Sequence, residues 1–265
     1  TFRDCTGLTE PIPIKIIDGC PNVTTVAGMF AYNTNMTGSI PTGMFAGLTA
    51  LTNASEVFAN CSKMNGEISS DLFADCPNVT TIYRLFYGCT SITGTFDREF
   101  IGGLSKLTDM RQAFYNCKGI TGFASDAFYN IKSDNINCRD AFYGSGITSI
   151  PSGLLEAMTG KNLMMERMFG NCTSLTSIPA TCLANLKVAN ARGIFGGCTA
   201  LASALPEANP DWNTYEGIQR WYGAFAKTAL SDIDTVCLEL GGDGDRKYSQ
   251  GKVGAIVLAD NTMVD

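Results

Sequence analysis

Apolar residues recur along this chain in a fixed pattern. A phenylalanine returns as Phe2, Phe30, Phe58, Phe86, Phe114, Phe142, Phe169, Phe195 and Phe225, at intervals of 28, 28, 28, 28, 28, 27, 26 and 30 residues. Seven, four and one positions before it the residues are mostly apolar: Val23, Val26 and Met29; Val79, Ile82 and Leu85; Leu107, Met110 and Ala113; and, with the first at six, Leu163, Met165 and Met168. The positions between are polar or variable, which predicts a strand running into a short helical turn. Six residues after the Phe stands another aliphatic, as in Met36, Met64, Ile92, Ile120 and Leu175. A weaker half-copy follows in "FAGLTALT" at Phe45, "FADCPNVT" at Phe73 and "LANLKV" at Leu183. Self-similarity at such a period marks a repeat protein. One unit cannot bury its apolar edge alone, but stacked copies cover one another, so the pattern predicts a solenoid.

The copies "MFGNCTSLTSIP" (Met168 to Pro179) and "GMFAYNTNMTGSIPTGMF" (Gly28 to Phe45) resemble leucine-rich repeats of the BspA-like class. That class occurs on surface and secreted proteins of gut and oral bacteria and in some protists. Its unit, roughly Phe-x-x-Cys-x-x-Leu-x-x-Ile-x-Ile-Pro, is matched by most copies here. The period near 28 is longer than usual for the class, and Pro is missing after the strand in "MNGEIS", "ITGTFD" and "ITGFAS". The resemblance implies an α/β repeat: a leucine-rich-repeat solenoid with short strands and short helical turns, in about nine copies of the unit. It also implies adhesion at a bacterial surface, with the protein secreted or held on the cell, and leaves the ligand open.

The expected organisation is a solenoid over residues 1–206 and a degenerate last repeat with a C-terminal cap over 207–240. A Gly-rich turn and a strand, "VGAIVL", over 241–265 open a possible further module. A cap is needed because the last rung leaves an apolar cross-section, and Trp212 and Trp221 supply bulk for one. The chain opens in mid-repeat at "TFRDCTGLT", which reads as a piece of something longer.

A net charge of −6 argues against a nucleic-acid footprint, which needs a basic patch. No apolar run reaches the roughly 18 residues of a membrane-spanning helix. There is no histidine, so the commonest general base and metal ligand is missing. The eleven cysteines are an odd number, which excludes a fully paired intrachain disulfide framework. Three residues after the key Phe stand Cys5, Asn33, Cys61, Cys89, Cys117, Ser145, Cys172, Cys198 and Thr228. Exchange among Cys, Asn, Ser and Thr favours a small packing residue that donates a hydrogen bond to the turn over a nucleophile or a metal ligand. "GGDGDRK" shares the opening spacing of a calcium loop but lacks its remaining ligands, and reads as a turn. No cofactor is expected.

The candidate partner-binding residues lie at variable outward positions. Three residues before the Phe stand Ala27, Ser55, Tyr83, Arg111, Arg139, Glu166, Arg192 and Tyr222. Immediately after it, in three consecutive copies, stand Tyr87, Tyr115 and Tyr143. Stacked copies would align both sets as ladders. Tyr and Arg are favoured at protein interfaces, and aromatic ladders also suit sugar rings; a solvated face that keeps the rod soluble is the simpler alternative. The leading expectation is a non-catalytic binding or adhesion module for a protein or glycan on a host or neighbouring cell. The second is a structural spacer or receptor-binding component of a larger surface or phage-tail assembly.

Overall fold

A computed structural model describes residues 1–13, 16–97, 100, 104–183, 186–202, 223–229 and 257–258. Consecutive copies stack in parallel, each rung hydrogen-bonded to the next. In the copy around Phe86 the N–H groups of Ile82, Arg84, Phe86 and Gly88 donate to the carbonyls of Asp109, Arg111, Ala113 and Tyr115 at 2.7–3.0 Å. The alternate N–H groups turn inward on their own copy: Leu85 donates to Ile82, Tyr87 to Arg84 and Cys89 to Phe86. Each copy thus divides its peptide groups between neighbour and self, as buried backbone requires.

The expected α/β architecture with helical turns is not what forms. Among the described residues the only helical element longer than a single residue is a 3₁₀ turn at Glu156–Met158. The i, i+3 apolar spacing comes instead from consecutive turns closed by i→i+3 bonds, a spacing that short turns share with helices. Left-handed backbone at two points per copy prevents continuation into a helix: Arg84 (φ 53°) and Gly88 (φ 70°) flank Phe86, and Gln112 (φ 56°) and Asn116 (φ 59°) flank Phe114. The leucine-rich-repeat solenoid with helical turns is therefore replaced by a coil of stacked turns.

Strands are short and parallel. One sheet holds β1 (Gly66–Glu67), β2 (Ile92–Phe96) and β3 (Gly119–Phe123) in the order β1-β2-β3. A second holds β4 (Asn135–Asn137), β5 (Asn162–Met164) and β6 (Val188–Asn190). The first sheet is built by the three copies that lack Pro. Where "SIP" is kept at 149–151 and 177–179, one isolated bridge, Ser149↔Ser177, takes its place. The residues that stand where other copies carry Pro, Ser69, Asp97 and Ser125, lie just beyond these strands. Towards the C-terminus, β7 (Phe225–Ala226) pairs in parallel with β8 (Val257–Leu258), which lies in "VGAIVL". Trp212, Trp221, "GGDGDRK" and most of the segments expected as cap and further module lie outside the described residues.

The core follows the period. Rings of the key phenylalanines stack from Phe2 to Phe225 with centroids 5.1–6.1 Å apart at every step. Phe45, Phe73 and Phe100 make a second buried column from the half-copies. In the Pro-less copies Phe96 and Phe123 wedge between the columns, edge-on to Phe114 and Phe142.

Gly119→Ala is expected to lower the unfolding free energy by about 2–3 kcal/mol, because the added methyl would stand 2.1 Å from the Ile92 carbonyl oxygen. Gly122→Ala, with nothing within 4 Å of the new methyl, should be close to neutral. Urea unfolding of the two variants checks the β2–β3 register; equal midpoints would contradict it.

Candidate functional site

The cysteine column is a packing device. Cys61, Cys89, Cys117, Cys172 and Cys198 are buried, and each Sγ donates to the carbonyl of the key Phe one copy earlier, at 2.9–3.1 Å. The Phe58 carbonyl, for instance, accepts from the Cys61 N–H and from Cys89 Sγ, filling both lone pairs. Asn33 does the same work, its Nδ2 donating to Phe2 one copy earlier as well as to its own Phe30, whereas Ser145 Oγ and Thr228 Oγ1 turn back on the carbonyls of their own Phe142 and Phe225. Burial pushes the Cys61 and Cys182 thiols up to about 12 and holds Cys89, Cys117 and Cys138 well above the usual thiol range. All ten described cysteines are free thiols, and no group of three or more metal-ligating residues gathers among the described residues.

The outward positions assemble as columns. Tyr87, Tyr115 and Tyr143 stack face to face, with centroids 4.8 and 4.9 Å apart and planes within 14°. The column ends where small residues follow the Phe, at Ala59 and Gly170. A side-chain carbon on Gly170 would lie 3.0 Å from the Tyr143 ring, so this glycine is the floor on which the ring rests. The ring faces are therefore closed, and the column presents edges and hydroxyls. Burial raises the Tyr115 hydroxyl above its ordinary value, with Tyr143, Tyr87 and Asp140 adding to the effect.

Tyr83, Arg111 and Arg139 form the other column, three residues before the Phe. Its backbone is held by the residue two places earlier: Thr81 Oγ1 accepts from the Tyr83 N–H, Asp109 Oδ1 from Arg111, Asn137 Oδ1 from Arg139 and Asn190 Oδ1 from Arg192. These are Asx- and Ser/Thr-type turns. Arg111 is also paired with its own Asp109 through two nitrogens, at 2.9 and 2.8 Å, a contact that keeps it charged. Arg139 reaches Asp140 at 3.5 Å and Glu166 at 3.6 Å. Arg192 stands beyond Glu166, away from the tyrosines.

Between the two columns lies a third that the sequence pattern did not single out: Arg84, Gln112, Asp140 and Arg167, two residues before the Phe. Arg84 Nε donates to Gln112 Oε1 at 2.6 Å, Gln112 Nε2 reaches Asp140 at 3.5 Å, and Arg167 grips Asp140 at 2.8 and 3.1 Å. Asp140 is buried, with Arg139 as a further partner, and a buried carboxylate needs such compensation. Its hydrogen bonds raise Arg167 further into the charged range. The Arg84 guanidinium lies 5.0 Å from the Tyr83 ring centre and 4.9 Å from that of Tyr87, so it ties the two predicted columns into one face. A cleft of about 210 Å³ opens here, lined by Tyr83, Arg84, Arg111, Gln112, Arg139, Asp140 and Arg167. The signal that could have found this column is conformational. Left-handed backbone costs a non-glycine residue about 1 kcal/mol; Gly28, Gly193 and Gly223 fill the same position elsewhere, yet Glu56, Arg84, Gln112, Asp140 and Arg167 keep side chains there.

A second, wider concavity of about 1050 Å³ lies over β1–β3 in the Pro-less copies. It is lined by hydroxyls such as Ser70, Thr93, Thr95 and Thr121 together with Glu67 and Asp97, with no lysine or arginine among the described residues that line it.

A family model described as a Mycoplasma protein of unknown function, DUF285, matches residues 2–128, a little under half of the chain. No curated protein matches it. Among solved structures, the Toll–Spätzle complex, titled a molecular hub in Drosophila development and innate immunity, aligns at 15% identity. The alignment covers 85% of this chain and 32% of that one, with a TM-score of 0.28. At that score the likeness carries no argument, and this chain spans about a third of the other's length. No helix among the described residues is long and apolar enough to cross a membrane.

The buried thiols carry a pH prediction. The folded values of Cys61, Cys76, Cys89, Cys117, Cys138 and Cys182 lie above the ordinary thiol value of 9.0, whereas the hydrogen bond with Cys198 lowers that of Cys172, so at these six raised thiols folding holds protons that the unfolded chain releases. Stability is full below pH 9 and falls as pH rises towards 12, each such thiol removing up to about 1.4 kcal/mol per pH unit. Urea midpoints at pH 8 and pH 10 check the sign. At pH 8, a thiol-modifying reagent should label Cys5 and Cys20, which are exposed, and spare Cys61, Cys89 and Cys117 until the protein unfolds.

Proposed function

We propose that this protein is a recognition module of the BspA-like surface class, acting at a cell surface or after secretion, and that it binds a partner through its tyrosine–arginine face without bond chemistry. The observation that carries this proposal is the convergence of Tyr83, Tyr87, Arg111, Tyr115, Arg139 and Tyr143, from three consecutive copies, on one face bridged by Arg84. Tyr and Arg dominate interface hot spots because each couples a large apolar area to a directed polar group. The side chains are held before any partner arrives, by ring stacking and by ion pairs, so little ordering entropy remains to be lost on binding. Kinship with the BspA-like class rests on the Phe-x-x-Cys-x-x-aliphatic copies, supported by the DUF285 match over residues 2–128.

Between the two partner classes, the closed ring faces favour protein. A sugar ring stacks on an exposed aromatic face, and Tyr115 offers none, since Tyr87 covers one side and Tyr143 the other. The hydroxyl edges suit hydrogen bonding to a peptide surface instead.

Probing a protein and glycan array with the purified chain is expected to return protein partners, and Tyr115→Ala and Arg139→Ala should each weaken them about tenfold. Binding unchanged in both variants would remove this face from the recognition surface. An array without partners would favour the spacer role.

A further inference from the structure

We infer that the cleft between the two columns receives a side-chain carboxylate of an acidic protein partner, with Arg84 as the receiving group; the inference rests on the recognition role proposed above. The chain has nine arginines, and four of them, Arg84, Arg111, Arg139 and Arg167, line this one cleft. Three carboxylates answer them: Asp109 holds Arg111, Asp140 holds Arg167, and Glu166 with Asp140 holds Arg139. One positive charge is left in excess, and it sits on Arg84.

Arg84 is oriented but not neutralised. Gln112 accepts from its Nε, and the rings of Tyr83 and Tyr87 flank its guanidinium. Among the described residues no carboxylate pairs with it, and its two terminal nitrogens are left as a planar fork. That fork matches a carboxylate through two parallel hydrogen bonds. The backbone points the same way. Arg84 is left-handed at φ 53°, in a position where other copies carry glycine. The side chain is thus kept at a strained position that glycine fills at 28, 193 and 223.

The surroundings select the kind of anion. The chain carries a net charge of −6, and Asp109, Asp140 and Glu166 stand within the cleft's own pairs. A long polyanion would meet that repulsion along its length, whereas a single Asp or Glu side chain on a protein surface meets only the local excess of positive charge. The hydroxyl edges of Tyr87, Tyr115 and Tyr143 beside it then serve the neighbouring peptide groups.

The test is titration of the full chain at low salt with three probes: a blocked tetraglutamate peptide, the matching tetraglutamine peptide and a tetragalacturonate. The tetraglutamate is expected to bind, to weaken as salt rises, and to bind more tightly than either other probe. Arg84→Gln and Arg84→Gly should each lose at least tenfold, while Lys106→Gln, which removes the same charge where Lys106 meets Asn78, should bind as the wild type does. Arg84→Gly should keep the wild-type thermal midpoint, because glycine relieves the left-handed backbone. Should its midpoint fall, Arg84→Lys decides: weaker binding by a folded variant that keeps the charge but loses the fork supports the inference, and undiminished binding overturns it. Equal affinity for tetraglutamate and tetraglutamine, or indifference to Arg84, also overturns it. Tighter binding of tetragalacturonate would overturn the assignment to protein. Array partners that survive Arg84→Gln would sink this inference alone, whereas an array without partners would sink the recognition role itself.

Discussion

Everything in this coil depends on how one copy hydrogen-bonds to the next. Left-handed residues two places before and two places after the key Phe send alternate N–H groups along the stacking axis and fold the others back within the copy. A helix would consume all its bonds internally and leave none for the neighbouring copy. A plain strand would carry no turn in which to bury the Phe. The alternating backbone does both, and the period follows from it: each circuit must return to the same bonding register, so residues at equal phase stand directly above one another.

The core and the polar face are two consequences of that register. Inside, phenylalanines stack about one rung apart, and the Phe carbonyl is left facing the next copy's residue at the cysteine position. A thiol fits there because it is small, tolerates burial and donates; Asn33 makes the same bond to the previous copy, while Ser145 and Thr228 fit as small donors that bond within their own copy. Outside, the same register turns variable positions into columns. Tyrosines 4.8 Å apart can only stack, so the feature that makes the ladder also closes its ring faces. Specificity then passes to the polar groups at the edges, which in the cleft around Arg84 hold one another except at the terminal nitrogens of Arg84 itself.

The repeat was fully legible in the sequence, because identical packing at every rung imposes the same residue class at the same phase. So was the meaning of the cysteines, since Asn33 and Ser145 at their position are incompatible with a shared thiol chemistry. The helical turns were misread for a definite reason. Apolar residues three apart, such as Val79, Ile82 and Leu85, serve a run of turns as well as a helix, and the sign of φ at Arg84 or Gln112 is not written in those side chains. The absence of Pro from three consecutive copies is visible in the sequence, but that those copies pair as the β1-β2-β3 sheet emerges only in the structure.

By itself, then, the sequence determined the period, the buried positions and the two outward columns that contain Tyr83, Tyr87, Arg111, Tyr115, Arg139 and Tyr143. Those depend on residue class and phase, which one dimension records. The tertiary structure alone decided the left-handed backbone, the closing of the tyrosine faces and the joining of the columns through Arg84, Gln112, Asp140 and Arg167. Those depend on which groups of neighbouring copies meet across the rung spacing and which are left without a partner. Contacts between residues 28 apart create that information, and no single copy contains it.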